Sequence, residues 1–199
     1  IISNITGSLY KTKIDCCLLK NIRKAAFMPI AAGGGILNLN DAIELIKSGC
    51  DKVIINSLIH TNSREAKKII NVLGSSSVIG AIQYSNIGGS RTYFNMGREK
   101  TGLCVEKTIS LYKELGVGQI LLTNIDKDGT YQGLDRDASS FLKSKDSMSY
   151  LIGGGFSSLD ELKYFKDIFS AVVISSSLHY SKIDLDKLGN NNQFIIGKK

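Results

Sequence analysis

The sequence predicts an α/β protein, and three observations carry that expectation. Short β-rich runs alternate with segments of helical periodicity along the chain. The β-rich runs are continuously apolar instead of alternating, as suits parallel strands covered on both faces. The chain also matches itself: shifted by 120 residues, the triple glycine Gly153, Gly154 and Gly155 falls on Gly33, Gly34 and Gly35. At that offset, without a gap, Leu39 meets Leu159, Val53 meets Val173, and Ile54 meets Ile174. Ser57 and Leu58 meet Ser177 and Leu178, and "NIT" from Asn4 meets "NID" from Asn124. The two halves read as copies of one unit, at about residues 1–74 and 75–190, within a single domain spanning 1–199.

In chain order, the β-rich runs are "MPIAA", "KVIIN", "SSVIGAI", "QILLTN", "SYLIGG" and "SAVVISS". Between them, "NSREAKKIINVLG" is a helix. Asn62 caps it with Glu65 three residues on, Ala66, Ile69, Ile70 and Leu73 form its apolar face, and Gly74 stops it. "VEKTISLYKELG" is a second helix, ending at Gly116, and "GGSRTYFNMG" reads as a small hairpin. With the partial strand at the start of the chain, these six runs make seven strands where a doubled unit calls for eight. The expected fold is therefore a (β/α)8 barrel whose first strand, first helix and part of the second strand lie upstream of Ile1. The polar, basic-ended tail "GNNNQFIIGKK" is expected to be a loosely ordered terminus.

Composition narrows the function class. There is no apolar run near the ~20 residues a membrane helix needs and no signal-peptide pattern. Cys16, Cys17, Cys50 and Cys104 lack metal spacing and read as reduced thiols, pointing to the cytoplasm. The net charge of +7 suits either an anionic partner or a lysine-rich solvated surface. The basic residues are scattered without an aromatic-interleaved stripe, which argues against nucleic acid. His60 and His179 lack partners at metal spacing and are placed on strand-to-helix loops; no metal and no cofactor are expected.

The glycine runs point to chemistry. At the strand-to-helix ends of a barrel, glycines let backbone N–H groups approach a phosphate closely. Each run has a companion one unit later, Asn56 with Ser57 in "INS" and Ser175, Ser176 and Ser177 in "SSS", offering further donors. Two such cradles across one barrel mouth suit a substrate phosphorylated at both ends; a merely structural reading makes them tight turns.

The combination "GGGI", "SGCDKVIINS", "GREKTGL", "QILLTNIDKDGTYQGLD", "GGGFSSLDEL" and "ISSSLHY" resembles the cyclase subunit of imidazole glycerol phosphate synthase, from Asn4 to about Leu188. The wording "FMPIAAGGGI" is also similar to homologues that work in surface-polysaccharide amidation. The resemblance implies a doubled barrel of histidine biosynthesis. In it, ammonia from a glutaminase partner attacks a doubly phosphorylated ribulosyl-aminoimidazole. It further implies that Gly34, Gly35, Asn56 and Ser57 hold one phosphate, that Gly129, Gly154, Ser175 and Ser176 hold the other, and that Asp128 touches the substrate. Asp126 and Asp135 flank that loop as shaping residues.

The chain departs from the family at acidic positions. Ring closure needs protons added and removed, which the family does with carboxylates at the ends of its first and fifth strands. The first lies upstream of Ile1, and the second position, a catalytic one, is Gln83 here. An amide cannot shuttle a proton near neutral pH. Asn4 stands where the family has aspartate. At the ammonia gate on the far face, Lys52 matches, Asp51 matches a partner-contacting position, and Gln119 replaces a glutamate. Retained binding with weakened catalysis is thus an alternative to an active cyclase.

Overall fold

The computed structural model describes residues 1–142 and 147–183; the tail from 189 and the end of the second repeat copy lie outside them. Seven parallel strands run in sheet order, and chain connectivity places a helix or loop crossover between each pair. They are β1 (Ile2–Ser3), β2 (Ala31–Gly33), β3 (Lys52–Ile55), β4 (Val78–Ser85), β7 (Gln119–Asn124), β8 (Ser149–Gly153) and β9 (Ala171–Val173). An antiparallel hairpin, β5 (Arg91–Phe94) and β6 (Glu99–Cys104), pairs with the end of β4. The α/β class agrees with the sequence reading, whereas the hairpin runs further than "GGSRTYFNMG": its second strand, β6, lies wholly beyond Gly97.

Helices follow the strands: α1 (Gly7–Tyr10), α2 (Cys16–Ala25), α3 (Leu39–Lys47), α4 (Ser57–Thr61), α5 (Ser63–Leu73), α6 (Val105–Leu115), α7 (Asp160–Phe165) and α8 (Ser176–His179). Their ends obey local chemistry. The Asn62 side chain accepts the Glu65 N–H at the start of α5, and Gly74 at its end has φ +82. His60 and His179 sit inside α4 and α8, not on loops, because each helix begins immediately after a strand end.

The sheet curls, so its two faces bury different sets. On the outer face the helices cover a core that includes Ala32, Val53, Ile55, Ile82, Ile120, Leu122 and Ile152. On the inner face, Ala31, Ile54, Ile79, Leu121, Leu151 and Val173 come together from six strands that are consecutive in the sheet order. This is a (β/α)8-type arrangement, with residues alternating inward and outward along each strand.

The repeat is visible in the pairing, with one correction. Ser3 pairs with Gly33 in β1–β2, and Thr123 pairs with Gly153 in β7–β8, an offset of 120. The Asp41 carboxylate accepts the Leu37 N–H, and the Glu161 carboxylate accepts the Ser157 N–H, again 120 apart. Beyond the helix, however, Gly33 pairs with Ile54 while Gly153 pairs with Val173, an offset of 119. The second copy is one residue shorter between its helix and its strand. The ungapped match of Ile54 to Ile174 therefore fails. Because side chains alternate faces, such a slip would turn the strand inside out; Val173 is the inward residue, and Ile174 packs on the outer core.

Candidate functional site

At the C-terminal ends of the strands the curled sheet opens into a cavity of about 600 Å³. Its walls gather every residue assigned by sequence to the two cradles: Gly34, Gly35, Asn56 and Ser57 on one side, Gly129, Gly154, Ser175 and Ser176 on the other. Gln83 and Asp128 line it as well, and Asp128 is the one carboxylate residue among the described lining residues. No lysine, arginine or histidine is among them. The net positive charge is therefore not focused in the cavity, and an anion there meets neutral donors.

Glycine is required at the turns. Gly34 has φ +99, and a Cβ there would lie 2.3 Å from the Asn4 carbonyl oxygen; Gly154 has φ +91, and its Cβ would lie 2.6 Å from that of Asn124. The same contact recurs 120 residues apart, so each glycine run is packed against the strand end before it. Asn56 and Ser175 likewise share one backbone geometry, φ −134 and ψ −77 against φ −125 and ψ −90, just ahead of their short helices.

The two sides differ in how their side chains are engaged. Ser57 Oγ accepts the Asn95 N–H of the hairpin (3.1 Å). Asn56 Nδ2 donates to Gln83 Oε1 (3.3 Å) and faces the Tyr93 carbonyl (3.5 Å), while its Oδ1 accepts from Tyr112 Oη (3.3 Å). Across the cavity, Asp135 Oδ2 is the node. It accepts from Tyr84 Oη, Asn86 Nδ2 and Asn124 Nδ2, each at 2.8 Å, and ties the Asp126–Leu134 loop to β4 and β7. Asp126 accepts from Ser85 Oγ and the Asn86 N–H. Asp126 and Asp135 thus shape the loop that carries Asp128 and Gly129.

Burial sets the electrostatics of these partners. Burial pushes the Asp135 carboxyl upward, but the bonds from Asn124, Tyr84 and Asn86 outweigh it and hold it below the usual aspartate value. Burial drives the Tyr84 and Tyr112 hydroxyls well above the normal phenol range. It pushes His60, packed near Phe94 and hydrogen-bonded to Tyr112 Oη (3.2 Å), down to about 4. His60 is therefore neutral at pH 7 and serves packing. No metal-holding group of three His, Cys, Asp or Glu occurs among the described residues.

Asp51, Lys52 and Gln119 stand at the opposite end of the sheet, at or beside strand starts. Lys52 Nζ donates to the Ser76 carbonyl (2.7 Å) and Gln119 Nε2 to Ser149 Oγ (3.0 Å). Asp51 accepts from the Ile30 N–H and Arg23. Asn4 lines the cavity, and its Nδ2 donates to the Thr12 carbonyl, a bond an aspartate could not make.

Residues 1–184 match the family described as histidine biosynthesis protein. The chain belongs to the histidine biosynthesis protein family. Among its relatives, the imidazole glycerol phosphate synthase subunit HisF of Petrotoga mobilis is 32% identical over 202 residues, covering 94% of this chain and 79% of that protein. The same subunit of Helicobacter hepaticus is 31% identical over 194 residues, covering 94% and 76%, and that of a Thermotoga species is 30% identical over 187 residues, covering 93% and 74%. Those relatives are named as subunits of a synthase. Among the described residues of this family member, no helix is long and apolar enough to cross a membrane.

The roles of Tyr112, Asn86 and Asn124 escaped the sequence reading. Asn124 carried a signal, its place in the repeat opposite Asn4. Tyr112 lies on an ordinary amphipathic helix, and nothing in the local pattern marks its hydroxyl as a partner of Asn56.

Proposed function

We propose that this chain is a cyclase-type barrel of histidine biosynthesis that binds a doubly phosphorylated ribulosyl-aminoimidazole at its strand-end cavity. The reaction is ammonia-dependent cyclisation and cleavage, with ammonia from a glutaminase partner docked at the far face near Asp51, Lys52 and Gln119. The observation that carries the reading is that two repeat-related glycine and hydroxyl sets face one cavity of about 600 Å³. The kinship to HisF subunits over more than nine-tenths of the chain supports it.

One phosphate would take backbone N–H groups around Gly34, Gly35, Asn56 and Ser57, and the other those around Gly129, Gly154 and Ser175 with the Ser176 hydroxyl. The Ser175 and Ser176 hydroxyls have no partner among the described residues, so both are available to a ligand. Asp128, the carboxylate on the cavity wall, would carry proton transfer. A second reading, a relative that binds the phosphorylated ligand without turnover, is favoured by Gln83 at the second proton-transfer position.

The deciding experiment is a turnover assay with the ribulosyl-aminoimidazole bisphosphate and ammonium chloride, alongside calorimetric titration of inorganic phosphate. An active cyclase forms imidazole glycerol phosphate and loses roughly 10²–10⁴ in rate on Asp128→Asn. Phosphate binding without turnover supports the second reading. Absence of both in folded protein defeats the proposal.

A further inference from the structure

The Gln83 side chain has a defined polarity. Two backbone groups of the hairpin set it. The Gly97 N–H donates to Gln83 Oε1 at 3.0 Å, so the oxygen of the amide points to the hairpin tip. The Tyr93 carbonyl faces Asn56 Nδ2, which turns the nitrogen of that neighbouring amide toward Gln83, where it donates to the same Oε1 at 3.3 Å. The far end of Asn56 meets Tyr112 Oη, whose single proton is shared between Asn56 Oδ1 (3.3 Å) and the Ala81 carbonyl (3.0 Å) and which also contacts His60 Nε2. Reversing either amide would set oxygen against oxygen or N–H against N–H.

The remaining half of the amide is Nε2. It has no partner among the described residues, yet no buried side-chain nitrogen or oxygen there lacks one. Nε2 is therefore accessible, and Gln83 is a half-buried residue of the cavity wall. We infer that Gln83 is a specificity-determining residue: the docked hairpin turns its Nε2 donors into the cavity, so the ligand atom placed there is an acceptor, a carbonyl oxygen between the two phosphates. A carboxylate at this position would keep the hairpin bonds but present an acceptor instead. The inference rests on the proposed function only in taking the cavity as the ligand site.

Gln83→Glu separates the two roles, because a carboxylate still accepts the Gly97 and Asn56 N–H groups. The probes are ribulose 1,5-bisphosphate, which carries a ketone between two phosphates; ribitol 1,5-bisphosphate, which carries the same charge with a hydroxyl in place of the ketone; and inorganic phosphate, which tests the cavity itself. In calorimetric titrations, Gln83→Glu is expected to weaken ribulose 1,5-bisphosphate about tenfold more than it weakens ribitol 1,5-bisphosphate, the scale of one lost hydrogen bond. Relative to the parent at each pH, that loss recovers as acid protonates the new carboxyl and restores a donor. Gln83→Met, which removes donor and acceptor together, should also weaken ribulose 1,5-bisphosphate. Slow hydrogen exchange at the Gly97 amide in Gln83→Glu verifies that the hairpin stays docked.

Equal or tighter ribulose 1,5-bisphosphate binding in Gln83→Glu at neutral pH would mean that this point takes a donor, or that Gln83 only latches the hairpin, and would overturn the inference. If phosphate binds the parent but the variant weakens ribulose 1,5-bisphosphate no more than ribitol 1,5-bisphosphate, the cavity reading stands and the Gln83 reading falls. If none of the three probes binds the folded parent, both fall together.

Discussion

Asp135→Asn tests whether the polar node beneath the cavity is built around a charge. The substitution keeps the size of the side chain and removes its negative charge. Three donors converge on Oδ2 at 2.8 Å, from Tyr84, Asn86 and Asn124, and the Asp137 N–H reaches Oδ1 at 3.2 Å. A hydrogen bond to a charged group contributes about 1.5–3 kcal/mol, roughly twice a neutral one. An asparagine oxygen kept on the three donors loses about half of each bond, and its Nδ2 then opposes the Asp137 N–H. The expected loss is about 3 kcal/mol, read by urea denaturation with the m-value unchanged. The acid dependence provides a second reading. Because the folded carboxyl lies below its unfolded value of 3.8, its contribution is full above that pH and is lost as pH falls through the lower folded value. The stability gap between parent and variant should therefore shrink below about pH 4. A loss under about 1 kcal/mol, or a gap that stays constant into acid, would refute the charged-node argument.

Three further outcomes follow from the same geometry. His60 should titrate near 4 by ring-proton NMR. Since the unfolded ring binds its proton near 6.5, folding weakens as pH falls from about 6.5 through 4; a midpoint near 6.5 would contradict the burial of the ring. Gly34→Ala and Gly154→Ala combine a left-handed backbone with a Cβ driven into a carbonyl oxygen, and should each cost well over the ~1–2 kcal/mol of the conformation alone. Gly88→Ala, left-handed but in open space, should cost only about that amount, measured in parallel thermal melts. Gly34→Asp and Gly154→Asp should abolish calorimetric binding of inorganic phosphate in samples that remain folded; unchanged binding would remove the glycine turns from the site.

Much of the architecture could be read from residue order because its causes are local or periodic. Continuous apolar runs, helix caps such as Asn62 and Gly74, and the glycine repeat at Gly33 and Gly153 report conformations that neighbouring residues impose. Repeat symmetry then carried those positions around the barrel and gathered Gly34, Asn56, Gly154 and Ser175 at one rim, since equivalent strand ends in a curled parallel sheet face the same opening.

Long-range packing settled the remainder. The offset of 119 in β9 depends on which residue of the strand faces inward, a matter of contact between Val173 and the inner cluster that spacing cannot report. The direction of the Gln83 amide depends on a hairpin residue fourteen positions away and on Asn56, whose own amide faces the Tyr93 carbonyl. Charge behaves likewise: seven net positive charges are legible in composition, but their absence from the cavity wall emerges only when the chain is folded. Local propensities act over a few residues, whereas amide polarity, inward register and the field inside a cavity are set by groups that meet only after the sheet has curled.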